Sequence, residues 1–154
     1  MTAYFELAPF LILTLGGGLL IGFWFRPGEW YAKLAKPWFT PPNGIFPPVW
    51  TLLYVMIAFV GWRTFARDPF GAGMMIWTIT LALNFIWSPI FFGAHRPAAA
   101  LAVIVALLVM ILVFVRLSWP YDPLSALLFT PYAAWVAFAA VLNAAICKLT
   151  RRPR

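Results

Sequence analysis

The sequence predicts an all-α membrane protein: a five-transmembrane-helix bundle in which a long loop between helices 1 and 2 caps a pocket. Two observations lead to this class. Of the 154 residues, 64% are hydrophobic and 10% are charged, whereas a soluble domain carries about 25% charged residues. The apolar residues also fall into five stretches long enough to cross a bilayer, whose hydrocarbon core needs about 20 residues of helix. We therefore expect one transmembrane domain over residues 1–154.

The five predicted spans each have an uncharged apolar core. They cover residues 8–25, 45–62, 72–94, 98–115 and 124–147. Backbone polar groups find no water in lipid, so each span is expected to be a helix that pairs its own amides. Pro47, Pro97 and Pro123 stand near the first turns of the second, fourth and fifth spans, where a missing N–H costs little. Pro89 and Pro131 lie inside the third and fifth spans and are expected to kink them.

The stretch 26–44, between the first two spans, is expected to form a lid that folds back over one end of the bundle. It begins RPGEWYAKLAKPWF and is rich in proline and charge, so it is not a spanning helix. A solvated connector would not carry both Trp30 and Trp38 within nine residues. We expect these two indoles to turn inward and to help close a ligand cavity.

Basic residues are distributed unevenly between the two ends of such a bundle. The end that holds the N-terminus has three Lys or Arg residues, and the lid end has the other eight. The positive-inside rule therefore places the N-terminus outside and the C-terminus in the cytoplasm, in what we expect to be a bacterial cell membrane. Because these cations flank apolar spans, we interpret the net charge of +7 as a topology signal and expect no nucleic-acid partner.

Polar and aromatic side chains on two spans indicate a candidate pocket. Asn84 lies in the middle of the third span, where an amide facing lipid would be unpaired, so it should face the bundle interior. It either lines a cavity or makes an interhelical hydrogen bond that fixes packing. Tyr54 lies two turns into the second span, where a buried hydroxyl needs a partner. Phe46 and Trp50 share its face and are either pocket residues or part of an interfacial aromatic belt.

The fifth span has Tyr132, Trp135, Ala139 and Asn143 close to one face, next to Pro131. A kink, two aromatic rings and an amide are typical of the wall of an apolar cavity with few polar groups. Aromatic stripes are, however, more often part of the core than of a ligand site. From this span alone both interpretations stay open.

Other features weigh on the class of function. Gly18 and Gly22 have GxxxG spacing, which fits either packing within the chain or a dimer seam. His95 lies in the short loop before the fourth span, where it could ligate a haem iron but is expected to be solvated. All four carboxylates lie at span ends or in loops, which argues against a proton-coupled pump. The sequence shows neither a nucleophile–base pair nor a multi-cysteine site, so we assign no catalytic and no metal-binding residues.

With these residues in view, the chain resembles the TspO/MBR family, the tryptophan-rich sensory proteins and translocator proteins. The resemblance covers essentially the whole chain and consists of aromatic, proline and amide residues at matching spacing. The matching residues are Trp30-Tyr31, Leu34-x-Lys36-Pro37-Trp38, Pro41-Pro42, Phe46-Pro47, Trp50, Leu53-Tyr54, Asn84, Trp87, Pro89, Phe91-Phe92-Gly93, Pro131-Tyr132, Trp135 and Leu142-Asn143.

The resemblance implies a porphyrin-binding membrane protein, a transporter or sensor for protoporphyrin IX or haem. It implies no required cofactor, membrane lipid as surroundings, and a homodimer with helix three at the interface. Sterols and benzodiazepine-type molecules are further candidate ligands. Combined with the helix faces above, it gives this expected ligand-binding set: Trp30, Trp38, Phe46, Trp50, Tyr54, Asn84, Trp87, Phe92, Tyr132, Trp135, Phe138 and Ala139.

Two alternatives to transport or sensing remain at this point. One is a light-dependent porphyrin-degrading enzyme in which Trp50 and Trp135 take part. The other is a membrane regulatory scaffold whose pocket is vestigial. Under the porphyrin hypothesis, Lys36 or Arg26 at the entrance is expected to meet propionates. The family's sterol consensus has an aromatic residue where this chain has Ala144, so sterol binding through that segment is not expected.

The predicted orientation can be tested by cysteine labelling. In a Cys147→Ala background, a cysteine introduced at Lys33 should react with a membrane-impermeant maleimide only after the cytoplasmic side is opened. A cysteine at Asp68, in the loop between the second and third spans, should react in intact cells. Labelling of the lid position from outside would overturn the topology.

Overall fold

The computed structural model describes the backbone of residues 2–151 and the side chains of residues 5–151, and this part of the chain is built from helices. Five of them are long and apolar enough to cross a membrane, which confirms the predicted all-α membrane fold. The first span runs through three consecutive helical segments, Thr2–Leu11, Ile12–Gly16 and Gly17–Trp24. The other spans are Phe46–Arg67, Ala72–Gly93, Pro97–Ser118 and Pro123–Thr150.

The prolines mark helix starts as predicted. Pro47, Pro97 and Pro123 all fall in the first turn of a span, where their missing N–H has no intrahelical partner to lose. The first span begins at Thr2 instead of residue 8. The second span continues to Arg67 instead of ending at residue 62. The reason is that Arg63, which looked like a loop cation, is part of the helix and pairs with a carboxylate on another element.

Two turns of the spans are π-helical instead of α-helical. In the first span the π-helical segment Ile12–Gly16 contains the buried Thr14, whose hydroxyl donates to the backbone carbonyl of Tyr54 at 2.9 Å. In the third span the π-helical turn Pro89–Gly93 follows directly on the α-helix. Pro89 has no N–H to donate, and the distortion expected there takes the form of this wider turn. Pro131 lies inside the fifth span, which continues as helix to Thr150.

The main hydrophobic core lies between the second, third, fourth and fifth spans. Its largest fully buried side chains include Trp77, Phe114, Phe129 and Tyr132. The indole of Trp77 donates to the backbone carbonyl of Ile57 at 2.9 Å, which satisfies its N–H inside the bundle. Large apolar side chains also cover the outside of the bundle, as expected for helices that face lipid.

The lid contains a short helix, Glu29–Lys33, that docks on the end of the bundle. Its anchor is Tyr31, which is buried and packs in a second hydrophobic cluster with Phe91 from the third span. The ammonium group of Lys36 donates to the carbonyls of Tyr31, Ala32 and Leu34 at 2.7, 3.3 and 3.2 Å. A cation that binds the last carbonyls of a helix closes its C-terminus, so Lys36 holds the lid backbone in shape.

An ion pair joins the second and fifth spans at the end opposite the lid. The Arg63 guanidinium donates to Asp122 at 2.7 Å, and Asp122 also accepts from the Ser125 hydroxyl at 2.6 Å. Asp122 is the N-cap of the fifth span and lies at the positive end of its dipole. Burial alone raises the Asp122 pKa, but the hydrogen bonds from Arg63 and Ser125 and the Arg63 charge outweigh it, so the pKa is lowered.

Asp122→Asn should therefore destabilise the protein by about 1–3 kcal/mol, because it removes the buried partner of a partly buried guanidinium. Since the folded pKa of Asp122 is lowered, its contribution is present above the ordinary carboxyl pKa of about 4 and is lost as pH falls through the folded pKa. Thermal unfolding of the detergent-solubilised protein between pH 7 and pH 3 should show a fall in Tm that is weaker in Asp122→Asn.

Glu29→Gln is the matched control, because Glu29 is 94% exposed and lies 3.9 Å from Lys33. Exposed pairs of this kind contribute little, so this variant should keep both the wild-type Tm and its pH dependence. An unchanged Tm in Asp122→Asn at pH 7 would contradict the role given to the ion pair.

Candidate ligand site

A buried polar junction joins three spans at the centre of the candidate site. The Tyr54 hydroxyl donates to Asn84 Oδ1 at 2.9 Å, and Asn84 Nδ2 donates to the Tyr132 hydroxyl oxygen at 2.7 Å. All three side chains are buried, so the prediction that Asn84 faces the interior is confirmed. Of the two roles left open by the sequence, the hydrogen bond between helices is the one this arrangement contains. Because lipid supplies no replacement partner, each of these bonds holds two spans in register.

Gly18 of the first span is what allows the Tyr54 ring to occupy its position. A Cβ atom added at Gly18 would overlap the Tyr54 ring, whereas a Cβ at Gly22 would have no neighbour within 4 Å. The two glycines of the GxxxG pair therefore differ. Gly18 serves packing within the chain, and Gly22 lies on the exposed side of the helix.

Above the polar junction, aromatic rings from the second and fifth spans contact one another. Trp50 packs on Tyr54 with ring centroids 5.5 Å apart and on Tyr132 at 6.5 Å. Phe46 contacts Trp135 edge to face at 5.8 Å. These rings are expected pocket residues from different elements, and the fold brings them together.

The wall continues toward the lid through the fifth span. Trp135 lies 5.6 Å from Phe138, and Phe138 contacts Phe39 of the lid at 6.3 Å. Ala139, on the same face, is partly buried against the main core. The expected residues of the fifth span therefore form one continuous surface that reaches the lid.

One polar atom in this aromatic cluster has no partner. The indole N–H of Trp135 is buried and makes no hydrogen bond within the part of the chain that the structure describes. An unpaired buried donor is unfavourable by about 1–3 kcal/mol. The Trp62 N–H, near the opposite end of the second span, is unpaired as well. Of the two, only Trp135 packs against other residues of the expected ligand-binding set.

The third span contributes a group of rings beside the site. Trp87 stacks on Phe91 with centroids 5.0 Å apart and meets Phe92 edge to face at 5.7 Å. Its indole donates to Asn143 Oδ1 at 3.2 Å, and Asn143 Nδ2 donates to the Pro97 carbonyl at 2.9 Å. Trp87 and Phe92 thus pack against the second hydrophobic cluster, which contains Tyr31 of the lid. They lie three and eight residues beyond Asn84 along the third span.

The lid tryptophans have different environments. Trp30 stacks on His95 with ring centroids 4.4 Å apart and planes 12° apart, and it meets Phe91 edge to face at 5.8 Å. Trp38 is 95% exposed and has only the neighbouring Phe39 as a ring contact. The expectation that Trp38 turns inward is therefore wrong in this structure, because Phe39 takes the inward place against Phe138.

The structure also changes the role of three other residues. His95, expected to be solvated, is exposed but forms the stack under Trp30 and adopts a left-handed backbone with φ of 54°. Lys36, expected at the entrance of the ligand site, donates its hydrogen bonds to backbone carbonyls of the lid. Arg26 lies over the Phe23 ring at 5.1 Å from its centroid. Neither cation is placed for a propionate in the arrangement seen.

Sequence reasoning missed the interhelical partners of two residues. Thr14 appeared to be an ordinary residue of an apolar span, yet its hydroxyl bonds to the second span. Arg63 was counted only as a topology cation, yet it pairs with Asp122. The second pairing had a signal, since antiparallel spans bring the end of the second and the start of the fifth to one side.

Comparison with known proteins gives one family for most of the chain. The model of the TspO/MBR family matches residues 10–149. The chain is 37% identical over 129 residues to Protein CrtK of Rhodobacter capsulatus, which covers 81% of each chain. It is 33% identical to a tryptophan-rich sensory protein of Cereibacter sphaeroides, over 86% of this chain and 84% of that one. It is 37% identical to the translocator protein of Homo sapiens, over 90% of this chain and 83% of the human one.

The contrast between the two glycines gives a direct test of the junction. Gly18→Ala should displace the Tyr54 ring, weaken its bond to Asn84 and destabilise the protein by about 1–3 kcal/mol, as overpacking does. Gly22→Ala, one turn further along the same helix, should leave the Tm unchanged or raise it slightly. Thermal unfolding in detergent measures both, and equal losses of Tm in the two variants would contradict the packing described for Gly18.

Proposed function

The chain belongs to the TspO/MBR family, and from that premise we propose that it binds a flat tetrapyrrole, protoporphyrin IX or haem, between its lid and the second, third and fifth spans. It is an integral, multi-pass membrane protein with a sensor or transporter role. The finer statement, that porphyrin is what it senses or carries, is our proposal. No cofactor is required for such binding.

The unpaired Trp135 N–H is the observation that carries the proposal. A buried donor with no partner in the protein is available to a bound ligand or water. A porphyrin offers propionate oxygens as acceptors. It would also replace ring contacts of Phe46 and Phe138 with Trp135 by contacts with its own π-system.

Aromatic rings around Trp135 make the site suited to a large flat molecule. Phe46 and Phe138 come from two different spans and contact the Trp135 ring at centroid distances of 5.8 and 5.6 Å. Trp50 contacts Tyr132, three residues before Trp135 on the fifth span, at 6.5 Å. The Tyr54–Asn84–Tyr132 junction lies beneath them and would provide a polar floor. Sterols and benzodiazepine-type molecules share the apolar surface of a porphyrin but not its propionates, so we rank them below it.

Entry of a ligand requires movement of the lid. Phe39 of the lid contacts Phe138, and Phe46 at the start of the second span contacts Trp135, so these ring pairs close the space between the fifth span, the lid and the second span. Separating them breaks ring contacts but no hydrogen bond described for these four side chains. The anchor at Tyr31 and Trp30 lies on the other side of the lid, against Phe91. We infer that the lid opens at Phe39 and turns about that anchor.

The remaining proposals concern the setting of the protein. The lid end carries most of the cations, so we propose that it faces the cytoplasm and that the membrane is a bacterial cell membrane. Arg152 and Arg154, which enter that count, lie outside the described residues. We also propose a homodimer through the third span, whose Met75, Ile79 and Ile86 are exposed large apolar side chains on one helix.

Porphyrin binding is tested by titrating the detergent-solubilised protein with protoporphyrin IX and following the Soret band. Trp135→Phe keeps an aromatic ring but removes the N–H, and should weaken binding about 10- to 150-fold, the effect of losing one hydrogen bond to a charged group. Tyr54→Phe should weaken porphyrin binding less, because it removes only the hydrogen bond from Tyr54 to Asn84 in the polar floor beneath the site.

Trp119→Phe is the matched control, because Trp119 is 53% exposed and lies in the loop before the fifth span, at the end opposite the lid. This variant should bind like wild type. Wild-type affinity in both Trp135→Phe and Tyr54→Phe would rule out the proposed site.

A further inference from the structure

A cleft of about 350 Å³ opens at the lid end of the bundle between the start of the fourth span and the end of the fifth. It is separate from the aromatic site described above. Six residues line it: Ala98, Leu101, Ala144, Cys147, Lys148 and Arg151. We propose that this cleft binds the headgroup of an anionic phospholipid, with the phosphate held by its two cations.

Small side chains keep the cleft open. The fourth and fifth spans pack closely along most of their length. At the lid end the facing positions are Ala98 and Ala144, which do not fill the space between the two helices. Leu101 and Cys147 form an apolar floor. A space of this shape, apolar below and open above, suits the glycerol and first acyl carbons of a lipid better than a soluble anion.

The charge of the cleft is of one sign. Lys148 and Arg151 are three residues apart, so they extend from the same face of the fifth span. No carboxylate lines the cleft. Within residues 5–151, the carboxylates that form ion pairs do so with Lys33 and Arg63, which lie elsewhere. The two cleft cations therefore have their charge available for an external anion.

The cleft at the opposite end of the bundle provides a contrast. That cleft, of about 330 Å³, includes Arg67, Asp68 and Asp122 among its lining residues. It is mixed in charge, and Asp122 is already paired with Arg63. Of these two clefts, the one at the lid end combines an apolar floor with cations of a single sign.

The position of the cleft in the fold also fits a lipid. Lys148 lies in the last turn of the fifth span and Arg151 is its C-cap, while Leu101 lies about one turn inside the fourth span, so the cleft crosses the level where headgroups meet acyl chains. Basic pockets between helices at such a level bind anionic lipid headgroups. The proposal does not rest on porphyrin binding, because no lining residue belongs to the expected ligand-binding set.

Native mass spectrometry of the protein released from detergent micelles tests this inference, with palmitoyl-oleoyl phosphatidylglycerol as the probe and phosphatidylcholine as its neutral-headgroup counterpart. We expect retention of phosphatidylglycerol over phosphatidylcholine. Lys148→Gln/Arg151→Gln should weaken phosphatidylglycerol binding about thirtyfold, since each cation near the membrane surface contributes a factor of about five.

Two further variants separate the cleft from general charge. Lys33→Gln/Arg96→Gln removes two cations from the same end, outside the cleft, and should bind the lipid like wild type. Ala144→Phe fills the cleft but keeps both cations, and should lose the lipid. If Ala144→Phe does not fold, as judged by its Tm, Ala98→Leu takes its place.

Other outcomes would overturn the inference. Equal loss of phosphatidylglycerol in the two double variants would show a diffuse charge effect. Equal retention of phosphatidylcholine, or displacement of the lipid by inorganic phosphate alone, would show that no lipid headgroup is recognised. Binding of cholesterol that Ala144→Phe abolishes, without phosphatidylglycerol binding, would assign the cleft to sterols.

Discussion

The amide of Asn84 is the interaction on which the arrangement of the spans depends. It accepts from Tyr54 on the second span and donates to Tyr132 on the fifth, so a single side chain on the third span holds two neighbours. Thr14 extends the chain of bonds to the first span through the Tyr54 carbonyl. Asn143 joins the fourth span at its first residue, Pro97. All five spans are thus linked by hydrogen bonds, of which those of Thr14, Tyr54 and Asn84 are buried and that of Asn143 to Pro97 is partly buried. Within lipid, the buried bonds have no water to compete with them.

Hydrophobic packing alone would not define this arrangement, because lipid is as apolar as the outer faces of the helices. Ring contacts give the bundle its close fit, but they permit sliding and rotation by small amounts. The polar contacts are few and directional, so they select one register among those that the apolar faces allow. Gly18 belongs to the same system, since its missing side chain gives the Tyr54 ring room to reach Asn84.

The sequence was sufficient for those features that depend on local chemistry. Span positions follow from runs of apolar residues, and the inward orientation of Asn84 follows from the cost of an amide in lipid. The sequence was insufficient to predict which partner a side chain contacts when several candidates lie far away along the chain. Arg63 could have ended a helix, and it pairs instead with Asp122 59 residues away. Phe39 and Trp38 are adjacent aromatic residues, and which of them turns inward depends on where Phe138 lies.

The π-helical turn at Pro89–Gly93 has a consequence for the lid. A π turn holds one residue more than an α turn, and one residue corresponds to a rotation of roughly 100° around a helix. Phe91 and Phe92, the rings against which Tyr31 packs, lie within that turn. The direction in which Phe91 and Phe92 point therefore depends on the additional residue of the π turn. A chain one residue shorter there would keep the same aromatic composition and point those rings away from the lid.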